Sequence, residues 1–518
     1  MNGNAVDWFV DRHVREGNGA GIAFEDPWRT LTRAGLAEAT GGFAAGLARE
    51  GIGRERRLAM LMPDTVDFPI VFWGALRAGV IPVPINTLLT PETIAYILAD
   101  SRAEAVVVSE PLLPVAMPVL RACGSLRKIL IVDPAGGAPA AIDDPRVRAL
   151  PDFLANADPA TPAIPVSADE TAFWLYSSGS TGTPKGVRHV HGSLRATAET
   201  YGAQVLKIRP DDVMFSAAKA FHAYGLGNAM TFPMAVGART VLLPDRPTPD
   251  AVLDIMTRCQ PTLFGGVPTL YAAMLANPRI GPKAGSNRLR CCISAGEALP
   301  EGVGTNWKRM VGVDILDGIG STEMLHIFIS NRDDDIRYGS SGKPVPGYAA
   351  MVVDEHDRPV PHGEQGELVV RGPSAADGYW NQRAKSRKTF RGEWTYTGDT
   401  YTRDADGYFR FLGRGDEMLK VSGVWVSPFE VEEALIAHDA VLEAAVVPHQ
   451  DADGLIKPRA FVVLTRAVPD RDALAEELKT HVKQRIGVWK YPRWIEFVDG
   501  LPKTATGKIQ RFRLRDAR

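Results

Sequence analysis

A short loop rich in glycine and hydroxyl side chains follows the apolar run Ala172–Tyr176. That run is typical of a buried strand, so the loop begins where a strand ends. Residues 177–186 read Ser-Ser-Gly-Ser-Thr-Gly-Thr-Pro-Lys-Gly. Glycines let backbone N–H groups converge on an anion, hydroxyls add donors, and Lys185 adds a positive charge. The segment therefore predicts a phosphate-binding loop whose glycine spacing is not that of a P-loop. A flexible surface linker is the alternative.

The length and charge of the chain limit its class. A chain of 518 residues exceeds one ordinary core, which predicts two or more domains. With 59 basic and 61 acidic residues it lacks the basic excess of nucleic-acid-binding proteins. Its four cysteines have no metal-type spacing and are too few for a disulfide framework, which favours a reducing cytoplasm. The adjacent Cys291 and Cys292 should point to opposite faces of a strand.

Neither the N-terminus nor the most apolar stretch has the pattern of a membrane segment. Residues 1–7 lack the basic and then apolar pattern of a signal peptide. The stretch from Val66 to Leu89 contains Arg77 and three prolines, whereas a membrane helix needs about 20 nearly uninterrupted apolar residues. We therefore expect a core helix followed by a strand, and no membrane partner.

Short apolar runs alternate with helical patterns over most of the chain, which predicts an α/β fold with mostly parallel sheets. The runs that read as strands include Ala105–Val108, Lys128–Val132, Thr240–Leu243 and Cys291–Ile293. Residues 134–168, rich in Ala, Pro and Asp, are expected to form an irregular connection.

The pattern changes after Gly363. Glu367–Val370 and Tyr408–Phe411 suggest short antiparallel strands, with a turn at residues 364–366. Beyond residue 416 a small α+β domain is predicted. Its expected helices are Pro428–Ile436 and Asp472–Ile486, and its expected strands are Ala444–Val447 and Ala460–Leu464. The glycines of residues 413–416 place the boundary there, giving domains 1–415 and 416–518.

Four further segments complete an ordered set of motifs: Asp317–Glu323, Tyr396–Asp399, Gly413–Gly423 and Pro502–Lys508. From about Trp8 to Arg513 their order resembles the adenylate-forming superfamily of acyl-CoA ligases, peptide-synthetase adenylation domains and luciferases. The resemblance implies a large N-terminal domain of mostly parallel α/β sheets with a small antiparallel, barrel-like part. It also implies a small mobile C-terminal α+β domain.

The resemblance implies a reaction in two steps that uses ATP, Mg²⁺ and coenzyme A. A carboxylate attacks the α-phosphate of ATP and gives an acyl-adenylate and pyrophosphate; a thiol then displaces AMP. Such transfers depend mainly on positioning and charge stabilisation. Thr322 and Glu323 are expected to end a glycine-rich turn, and Asp399 to follow a Tyr-Thr-Gly turn. By resemblance, the hydroxyl of Thr322 contacts the α-phosphate, Glu323 helps to hold Mg²⁺, and Asp399 accepts the ribose hydroxyls. Ser294–Glu297 and Asp317–Ile319 resemble the two segments that bind adenine. The predicted ATP-binding residues are Ser177, Ser178, Gly179, Ser180, Thr181, Gly182, Thr183, Lys185, Ala295, Gly296, Glu297, Asp317, Gly318, Ile319, Asp399 and Arg414.

Lys508 lies in a C-terminal Pro-Lys-Thr-Ala-Thr-Gly-Lys segment. By resemblance it bridges the carboxylate and the α-phosphate, and the small domain then rotates about Asp416. That rotation would withdraw Lys508 and form a tunnel for CoA, whose predicted residues are Lys420, Ser422, Gly423 and Trp425. The context of Lys503 and Lys508 resembles a lysine-acetylation motif of the family, so an acetylating enzyme is a candidate partner at Lys508.

The acyl pocket resembles that of benzoate–CoA ligases, with a flat, short shape. Its predicted residues are Ala223, Tyr224, Gly225, Gly320, His326 and Ile327. His222 stands where those ligases often have Phe; it resembles hydroxycinnamate and halobenzoate ligases, where this residue gates the carboxylate site. His326 is either a hydrogen-bond partner of a ring substituent or a packed structural histidine. His189 and His191 have the spacing of a metal pair, without an apparent third ligand.

The resemblance thus implies an aryl-acid–CoA ligase acting on benzoate or a substituted benzoate. The alternatives are an adenylation enzyme that loads an aryl or short acyl acid onto a carrier protein, and a CoA ligase for hydroxycinnamate or another small acid. Luciferase-type oxygenation and a catalytically inactive nucleotide-binding regulator are less favoured. A Gly-x-Ser-x-Gly elbow, which a serine hydrolase would need, is absent from the sequence. The oligomeric state is open, with a homodimer among the candidates.

Overall fold

The structure is a computed structural model. It describes residues 3–137, 139, 142–178, 183–415, 418–421, 424–451, 455–487, 490–503 and 509–515. The predicted α/β class is confirmed, with parallel sheets in the N-terminal part and antiparallel sheets between them and the C-terminus.

The largest sheet has nine strands, of which six central ones are mutually parallel. Antiparallel strands complete it at both ends. In spatial order the strands are Lys343–Pro344, Ile327–Ser330, Ile315–Gly320, Cys291–Ser294, Leu263–Gly266, Val213–Ser216, Arg239–Val241, Ile22–Glu25 and Thr30–Thr32. Because the parallel strands Cys291–Ser294 and Ile315–Gly320 are neighbours, their carboxyl ends bring two predicted ATP-binding segments to one edge.

A second sheet has five strands that are all parallel. Its strands are Ile81–Pro84, Arg57–Leu61, Ala105–Ser109, Lys128–Val132 and Val147–Ala149. The helix predicted within the apolar stretch is Asp67–Arg77, and every residue in it is buried. It is followed by the strand Ile81–Pro84, so the expectation of a core helix and a strand is confirmed. No helix within the described ranges is both long enough and apolar enough to cross a membrane.

Helices connect and cover these sheets. Thr32 and Thr248 cap two of them, since each hydroxyl accepts a backbone N–H three residues ahead. The α-helices of the N-terminal part are Arg12–Arg15, Arg33–Arg49, Asp67–Arg77, Pro91–Ser101, Leu113–Ala122, Leu150–Leu154, His191–Thr197, Ala223–Leu226, Phe232–Val236, Pro249–Cys259, Pro268–Leu275, Glu301–Val311 and Arg383–Thr389. Wider π-type turns are Asp7–Asp11, Ala198–Val205 and Gly227–Thr231, and 3₁₀ turns are Glu110–Leu112, Pro282–Gly285 and Thr322–Met324.

Two antiparallel sheets carry much of the candidate site. A three-stranded sheet consists of Gly378–Tyr379, Pro184–Val190 and Thr171–Ser178. A five-stranded sheet consists of Ala349–Val353, Gln365–Arg371, Trp394–Arg403, Phe390–Arg391 and Phe409–Arg414. The antiparallel character predicted after Gly363 is therefore confirmed, although the turn expected at residues 364–366 is wrong because Gln365 already begins a strand.

The C-terminal part has the α+β character that the sequence predicts. The helices are Pro428–Ile436, Arg471–Ile486 and Arg511–Arg515. The strands Leu419–Val421 and Val424–Val426 form a pair, and Val441–Gln450, Ile456–Leu464 and Trp494–Phe497 form a sheet. The described residues of this part form two hydrophobic clusters, both separate from those of the N-terminal sheets. The boundary between residues 415 and 416 stays a prediction, since residues 416 and 417 lie outside the described part.

Two other expectations have a clear outcome. Cys291 and Cys292 do point to opposite faces, because each packs into a different hydrophobic cluster. Residues 134–168 are not wholly irregular: they include the strand Val147–Ala149 and the helix Leu150–Leu154. Both elements are short and are flanked by prolines and aspartates, so the composition of this segment did not indicate them.

Candidate active site

Lys185 and Glu323 lie together at the centre of the candidate site. Lys185 is on the strand Pro184–Val190, and Glu323 is in the 3₁₀ turn Thr322–Met324. The Nζ atom of Lys185 is 2.9 Å from Oε1 of Glu323, and both side chains are mostly buried. Burial by itself would raise the pKa of Glu323, but the Lys185 ammonium and a hydroxyl from Tyr379 outweigh it and lower that pKa. The carboxylate is therefore ionised and suited to a divalent cation.

The turn that carries Thr322 and Glu323 is held from behind. Nε2 of His189 donates to the carbonyl oxygen of Thr322 at 2.8 Å, and the N–H of Ala376 donates to the carbonyl of Glu323 at 2.8 Å. Ser321 caps the turn through the N–H of Met324. The glycine-rich segment before it, predicted as a turn, is instead the end of the strand Ile315–Gly320. The strand and these hydrogen bonds fix the backbone positions of Thr322 and Glu323.

The phosphate-binding loop is described only at its two ends. The predicted strand Ala172–Tyr176 is confirmed and extends to Thr171–Ser178. Its return strand begins at Pro184, so the loop joins two antiparallel strands. Oγ of Ser177 is buried and has no hydrogen-bond partner among the described residues, while Thr183 is exposed. Residues 179–182 and the side chain of Ser178 lie outside the described part.

Asp399 and Arg414 face each other on paired strands. They are register partners, and Nη1 of Arg414 lies 2.8 Å from Oδ1 of Asp399. The same Nη1 atom donates to the carbonyl oxygen of Thr397 at 3.0 Å. The expected turn before Asp399 is wrong: residues 396–399 belong to the strand Trp394–Arg403, and Gly398 allows its irregular geometry with a φ of 73°. An acidic and a basic side chain thus meet on the sheet between the two parts of the chain.

The two segments predicted to bind adenine are brought to adjacent strand ends. Ala295, Gly296 and Glu297 follow the strand Cys291–Ser294, which pairs with the strand that holds Asp317, Gly318 and Ile319. Asp317 is buried, and burial raises its pKa to about 8. The N–H of Leu299 donates to its Oδ2 atom at 3.4 Å. Asp317 is thus a mostly neutral, buried group rather than an exposed anion.

The C-terminal end of the chain reaches this segment. The N–H of Ile509 donates to Oε1 of Glu297 at 3.3 Å, although the two residues are 212 positions apart in sequence. Lys508 lies outside the described part, yet its neighbour in sequence thus contacts the predicted adenine segment. Asp416, Ser422 and Gly423 also lie outside it. Lys420 and Trp425 are described only as strand residues that pair with each other.

Most residues of the predicted acyl pocket lie together. Nε2 of His326 is 3.2 Å from the carbonyl oxygen of Tyr224, and Gly320 and Ile327 are register partners beside it. A Cβ atom on Gly320 would lie 2.6 Å from the carbonyl oxygen of His326, so the close approach of two strands requires glycine there. Gly225 is restricted in the same way by the carbonyl of Lys219, at 2.0 Å. Ala223 is buried in the adjoining core.

His326 is a packed histidine in this structure. Its ring lies against Tyr201, Tyr224 and Phe232, with centroids 5.0, 5.6 and 4.5 Å away. Burial lowers the pKa of His326 to about 3, so the ring is neutral near pH 7. The hydroxyl of Tyr224 donates to backbone carbonyls of Gly266 and Ile293 at 3.0 and 2.9 Å. Tyr224 and His326 therefore form a rigid, uncharged wall.

His222 stands at the start of the helix Ala223–Leu226. Its carbonyl accepts the N–H of Leu226 at 2.7 Å, and its ring lies edge-on to Phe221 at 4.7 Å. His222 thus directly precedes the predicted acyl-pocket residues, and its role at the carboxylate site stays a prediction.

The paired histidines after the loop have structural roles. His189 stacks on Phe173, with ring centroids 5.1 Å apart, and Nδ1 of His191 accepts the N–H of Ala5 at 3.2 Å. Burial lowers the pKa of both histidines to about 4. No group of three metal-ligating side chains occurs within the described ranges.

One residue of the site was not predicted. The hydroxyl of Tyr379 is 2.8 Å from Nζ of Lys185 and 2.8 Å from Oε1 of Glu323. In the sequence, Gly378 and Tyr379 follow the segment Gly-Pro-Ser-Ala-Ala-Asp and precede Trp380. That pattern could not show the contact, because Tyr379 is 56 residues from Glu323 and 194 from Lys185.

Comparison with known proteins agrees with this geometry. The AMP-binding enzyme family matches residues 10–380, and the AMP-binding enzyme C-terminal domain matches residues 430–508. A 4-hydroxybenzoate–CoA/benzoate–CoA ligase of Rhodopseudomonas palustris is 52% identical over 99% of this chain and 94% of its own. A solved benzoate CoA ligase from Burkholderia xenovorans LB400 superposes with a TM-score of 0.91 and 46% identity, covering 100% of both chains.

A third relative was solved with an acyl-adenylate. An anthranilate CoA ligase in complex with anthranoyl-AMP superposes with a TM-score of 0.93 and 40% identity, covering 99% of this chain and 96% of that one. The chain belongs to the AMP-binding enzyme family, whose members form adenylates. The resemblance that the motifs suggested is thereby confirmed, and so is the class of enzyme: an AMP-forming acid–thiol ligase that uses ATP, Mg²⁺ and CoA.

Proposed function

We propose that the protein is an aryl-acid–CoA ligase whose acid is benzoate or a substituted benzoate. In the first step a carboxylate oxygen bonds to the α-phosphorus of ATP and pyrophosphate leaves, giving aroyl-AMP. In the second step the CoA thiol loses its proton and its sulfur bonds to the acyl carbon, and AMP leaves. ATP is therefore consumed to AMP and pyrophosphate for each thioester formed.

The observation that carries this proposal is a set of three contacts. Two of them involve Glu323 and Glu297, which follow neighbouring parallel strands of the large sheet, and the third joins paired strands of the five-stranded antiparallel sheet. The three contacts are the Lys185–Glu323 pair, the Asp399–Arg414 pair and the contact of Ile509 with Glu297. Lys185 offers a cation to phosphates, Glu323 offers a carboxylate to a metal ion, and Asp399 offers acceptors to a ribose. A nucleotide with Mg²⁺ needs these three kinds of group.

The roles we propose follow the chemistry of each group. Lys185 and the loop from Ser177 hold the β- and γ-phosphates, and Thr322 donates to the α-phosphate. Glu323 fits Mg²⁺ because it is an ionised carboxylate held beside a phosphate-binding cation; the ion when bound neutralises phosphate charge. Lys508, next to Ile509, supplies a point charge to the carboxylate and the α-phosphate.

The second step uses another arrangement of the small domain in our proposal. Asp416 is the hinge between domains 1–415 and 416–518, and Gly423 lines the tunnel for the thiol together with Lys420, Ser422 and Trp425. The contacts described between the two parts include an ion pair, Nη2 of Arg410 to Oε2 of Glu433 at 3.0 Å, and a ring contact of Phe411 with Phe429, whose centroids are 5.5 Å apart. An ion pair near the surface contributes about 0–1 kcal/mol, so this one adds little to the free energy that a rotation must overcome.

The wall formed by Tyr224 and His326 supports a small planar acid. Both rings are neutral and tightly packed, and Gly320 and Ile327 adjoin them. Flat aromatic and aliphatic walls with few polar groups suit an aryl ring. The ligase of Rhodopseudomonas palustris, which is named for 4-hydroxybenzoate and benzoate, favours these two acids as the first to test.

An ATP-dependent assay of AMP and pyrophosphate release tests the proposal. Benzoate, the hydroxybenzoates, the aminobenzoates, cinnamate, cyclohexanecarboxylate and short fatty acids would be compared with and without CoA. We expect a preference for a benzoate and AMP release that requires CoA. Pyrophosphate release that ignores CoA would point instead to a carrier-loading enzyme, and a preference for an aliphatic or cinnamic acid would refute the substrate class.

Three associated proposals concern the setting of the enzyme. We propose that it acts in the cytoplasm, that it forms a homodimer, and that acetylation of Lys508 stops the first step by removing its charge. Light scattering of the purified protein tests the dimer. Mass spectrometry after incubation with an acetyl donor, followed by pyrophosphate exchange, tests the modification. Lys503 is a different case, because its Nζ is paired with Glu443 at 2.5 Å.

A further inference from the structure

Tyr379 joins the two charged groups at the centre of the candidate site. Its hydroxyl accepts from Nζ of Lys185 at 2.8 Å and donates to Oε1 of Glu323 at 2.8 Å. Since Lys185 also lies 2.9 Å from that carboxylate oxygen, the three atoms form a closed triangle. The Lys185 ammonium lies over the Tyr379 ring as well, 4.2 Å from its centroid. One neutral side chain therefore contacts both the proposed phosphate cation and the proposed metal ligand.

The position of this hydroxyl is fixed by the surrounding backbone. The strand Gly378–Tyr379 pairs with the strand that carries Lys185, with Tyr379 opposite Val187. The N–H of Tyr379 donates to Oγ of Ser386 at 3.0 Å. Its ring is 4% exposed and packs with Val187, Ala376 and Phe390. A donor held in this way needs no reorganisation when a charged partner arrives.

The same short segment also holds the backbone of the metal-ligand turn. The N–H of Ala376 donates to the carbonyl oxygen of Glu323 at 2.8 Å, so residues 376–379 contact both the main chain and the side chain of Glu323. Tyr379 thus contacts the carboxylate of Glu323, while Ala376 holds the main chain of Glu323.

Nucleotide binding should separate the charges of this triangle. If Lys185 moves to the phosphates, the Glu323 carboxylate loses its cation and must turn to Mg²⁺. The Tyr379 hydroxyl can remain on Glu323 throughout, because a phenol both donates and accepts. It would then keep the carboxylate in one orientation during the exchange of partners.

We propose that Tyr379 is a positioning residue for adenylate formation, which orients Glu323 for Mg²⁺ and holds Lys185 ready for the phosphates. The proposal rests on the proposed function, because it takes the roles of Lys185 and Glu323 from there. It concerns the first step alone, since neither residue is assigned a part in thioester formation.

The test is Tyr379→Phe, which keeps the ring and removes the hydroxyl. A hydrogen bond to a charged group is worth about 1.5–3 kcal/mol, so benzoate-dependent ATP–pyrophosphate exchange should fall about 10- to 100-fold in kcat/KM for MgATP. The Mg²⁺ concentration that gives half-maximal exchange should rise. Thioester formation from supplied benzoyl-AMP and CoA should stay within about twofold of the wild type, because the hydroxyl is proposed to act only in adenylate formation.

Two comparisons separate positioning from a structural effect. Tyr338→Phe is the matched control, since that hydroxyl lies 3.1 Å from Oδ1 of Asp314, a carboxylate outside the proposed site. It should leave the Mg²⁺ dependence unchanged. In a Glu323→Gln background, Tyr379→Phe should cause little further loss, because the two side chains act as a unit.

The outcomes distinguish this proposal from the proposed function. If the wild type shows exchange with a benzoate and Tyr379→Phe keeps its Mg²⁺ dependence and kcat/KM, the positioning role is refuted. Equal loss in both half-reactions, or full additivity with Glu323→Gln, would refute it as well. If the wild type shows no carboxylate-dependent exchange, the proposed function itself fails, whatever the variant does.

Discussion

The backbone N–H of Ile509 donates to Oε1 of Glu297, 3.3 Å away, and so joins the C-terminal part to the edge of the large sheet. Glu297 follows the strand Cys291–Ser294, whose neighbour leads to Thr322 and Glu323. This arrangement brings the residue next to Lys508 to one of the two segments that the resemblance predicts to bind adenine. It is the arrangement that adenylate formation would need.

We therefore expect Lys508→Ala to lose adenylate formation and keep thioester formation. A preorganised charge at the developing negative charge is worth about 10²–10³ in rate, so benzoate-dependent pyrophosphate exchange should fall by about that factor. Turnover of supplied benzoyl-AMP with CoA should be largely intact. Lys503→Ala is the control, since its ammonium is paired with Glu443. Equal loss of both steps in Lys508→Ala would contradict the two-arrangement mechanism.

Gly423→Leu should have the opposite effect. If Gly423 lines the tunnel, a side chain there blocks the thiol but not the nucleotide. Pyrophosphate exchange should stay close to the wild type, while AMP release in the presence of CoA falls strongly. Gly500→Leu is the comparison, since Gly500 is exposed and a Cβ atom added to it would have no described neighbour within 4 Å. CoA turnover that survives Gly423→Leu would show that the tunnel runs elsewhere.

Asp399→Asn should weaken ATP binding in particular. The substitution removes the charge that pairs with Arg414 at 2.8 Å and that we assign to the ribose hydroxyls. A charge-assisted hydrogen bond is worth about 1.5–3 kcal/mol, so KM for ATP should rise about tenfold or more while KM for benzoate changes little. Asp333→Asn, in an exposed pair with Lys207, should leave both constants unchanged. A larger effect on the benzoate constant would remove Asp399 from the nucleotide site.

Capping residues and apolar periodicity predicted the helices and strands whose ends are set by neighbouring residues. Pro428–Ile436 begins after Ser427, whose hydroxyl caps it through Glu430, so the helix could be located to the residue. The strand Trp394–Arg403 could not be located in this way, because the Tyr-Thr-Gly-Asp sequence within it is typical of a turn. Pairing with Gln365–Arg371 on one side and Phe409–Arg414 on the other overrides that preference.

The residues of the candidate site also differ in whether local sequence could predict them. Lys185, Thr322, Glu323 and Asp399 lie in motifs whose residues are close in sequence, so the resemblance could name them. Tyr379 could not be named, since its role depends on a sheet pairing that brings it beside Lys185. The state of His326 was open for a similar reason: its neighbours Tyr201 and Phe232 come from other segments, and their packing makes it a neutral, buried ring.

The pH dependence of stability should report on His191. Burial lowers the pKa of its ring to about 4, while an unfolded histidine titrates near 6.5. The unfolded state therefore binds the proton first as pH falls, so the stabilisation is fully present above about pH 6.5 and is lost towards pH 4. Between pH 7 and pH 5 this histidine should reduce the free energy of unfolding by about 2 kcal/mol.

Other buried groups also titrate in this range, and the protonated form of Asp317 acts in the opposite direction, so the comparison must be between variants. His191→Asn keeps an acceptor for the N–H of Ala5 and removes the titration. Its loss of stability between pH 7 and pH 5, measured by urea unfolding, should be about 2 kcal/mol smaller than that of the wild type. His356→Asn, at an exposed position, should follow the wild type. Equal pH slopes for His191→Asn and the wild type would mean that the folded protein does not lower the pKa of His191.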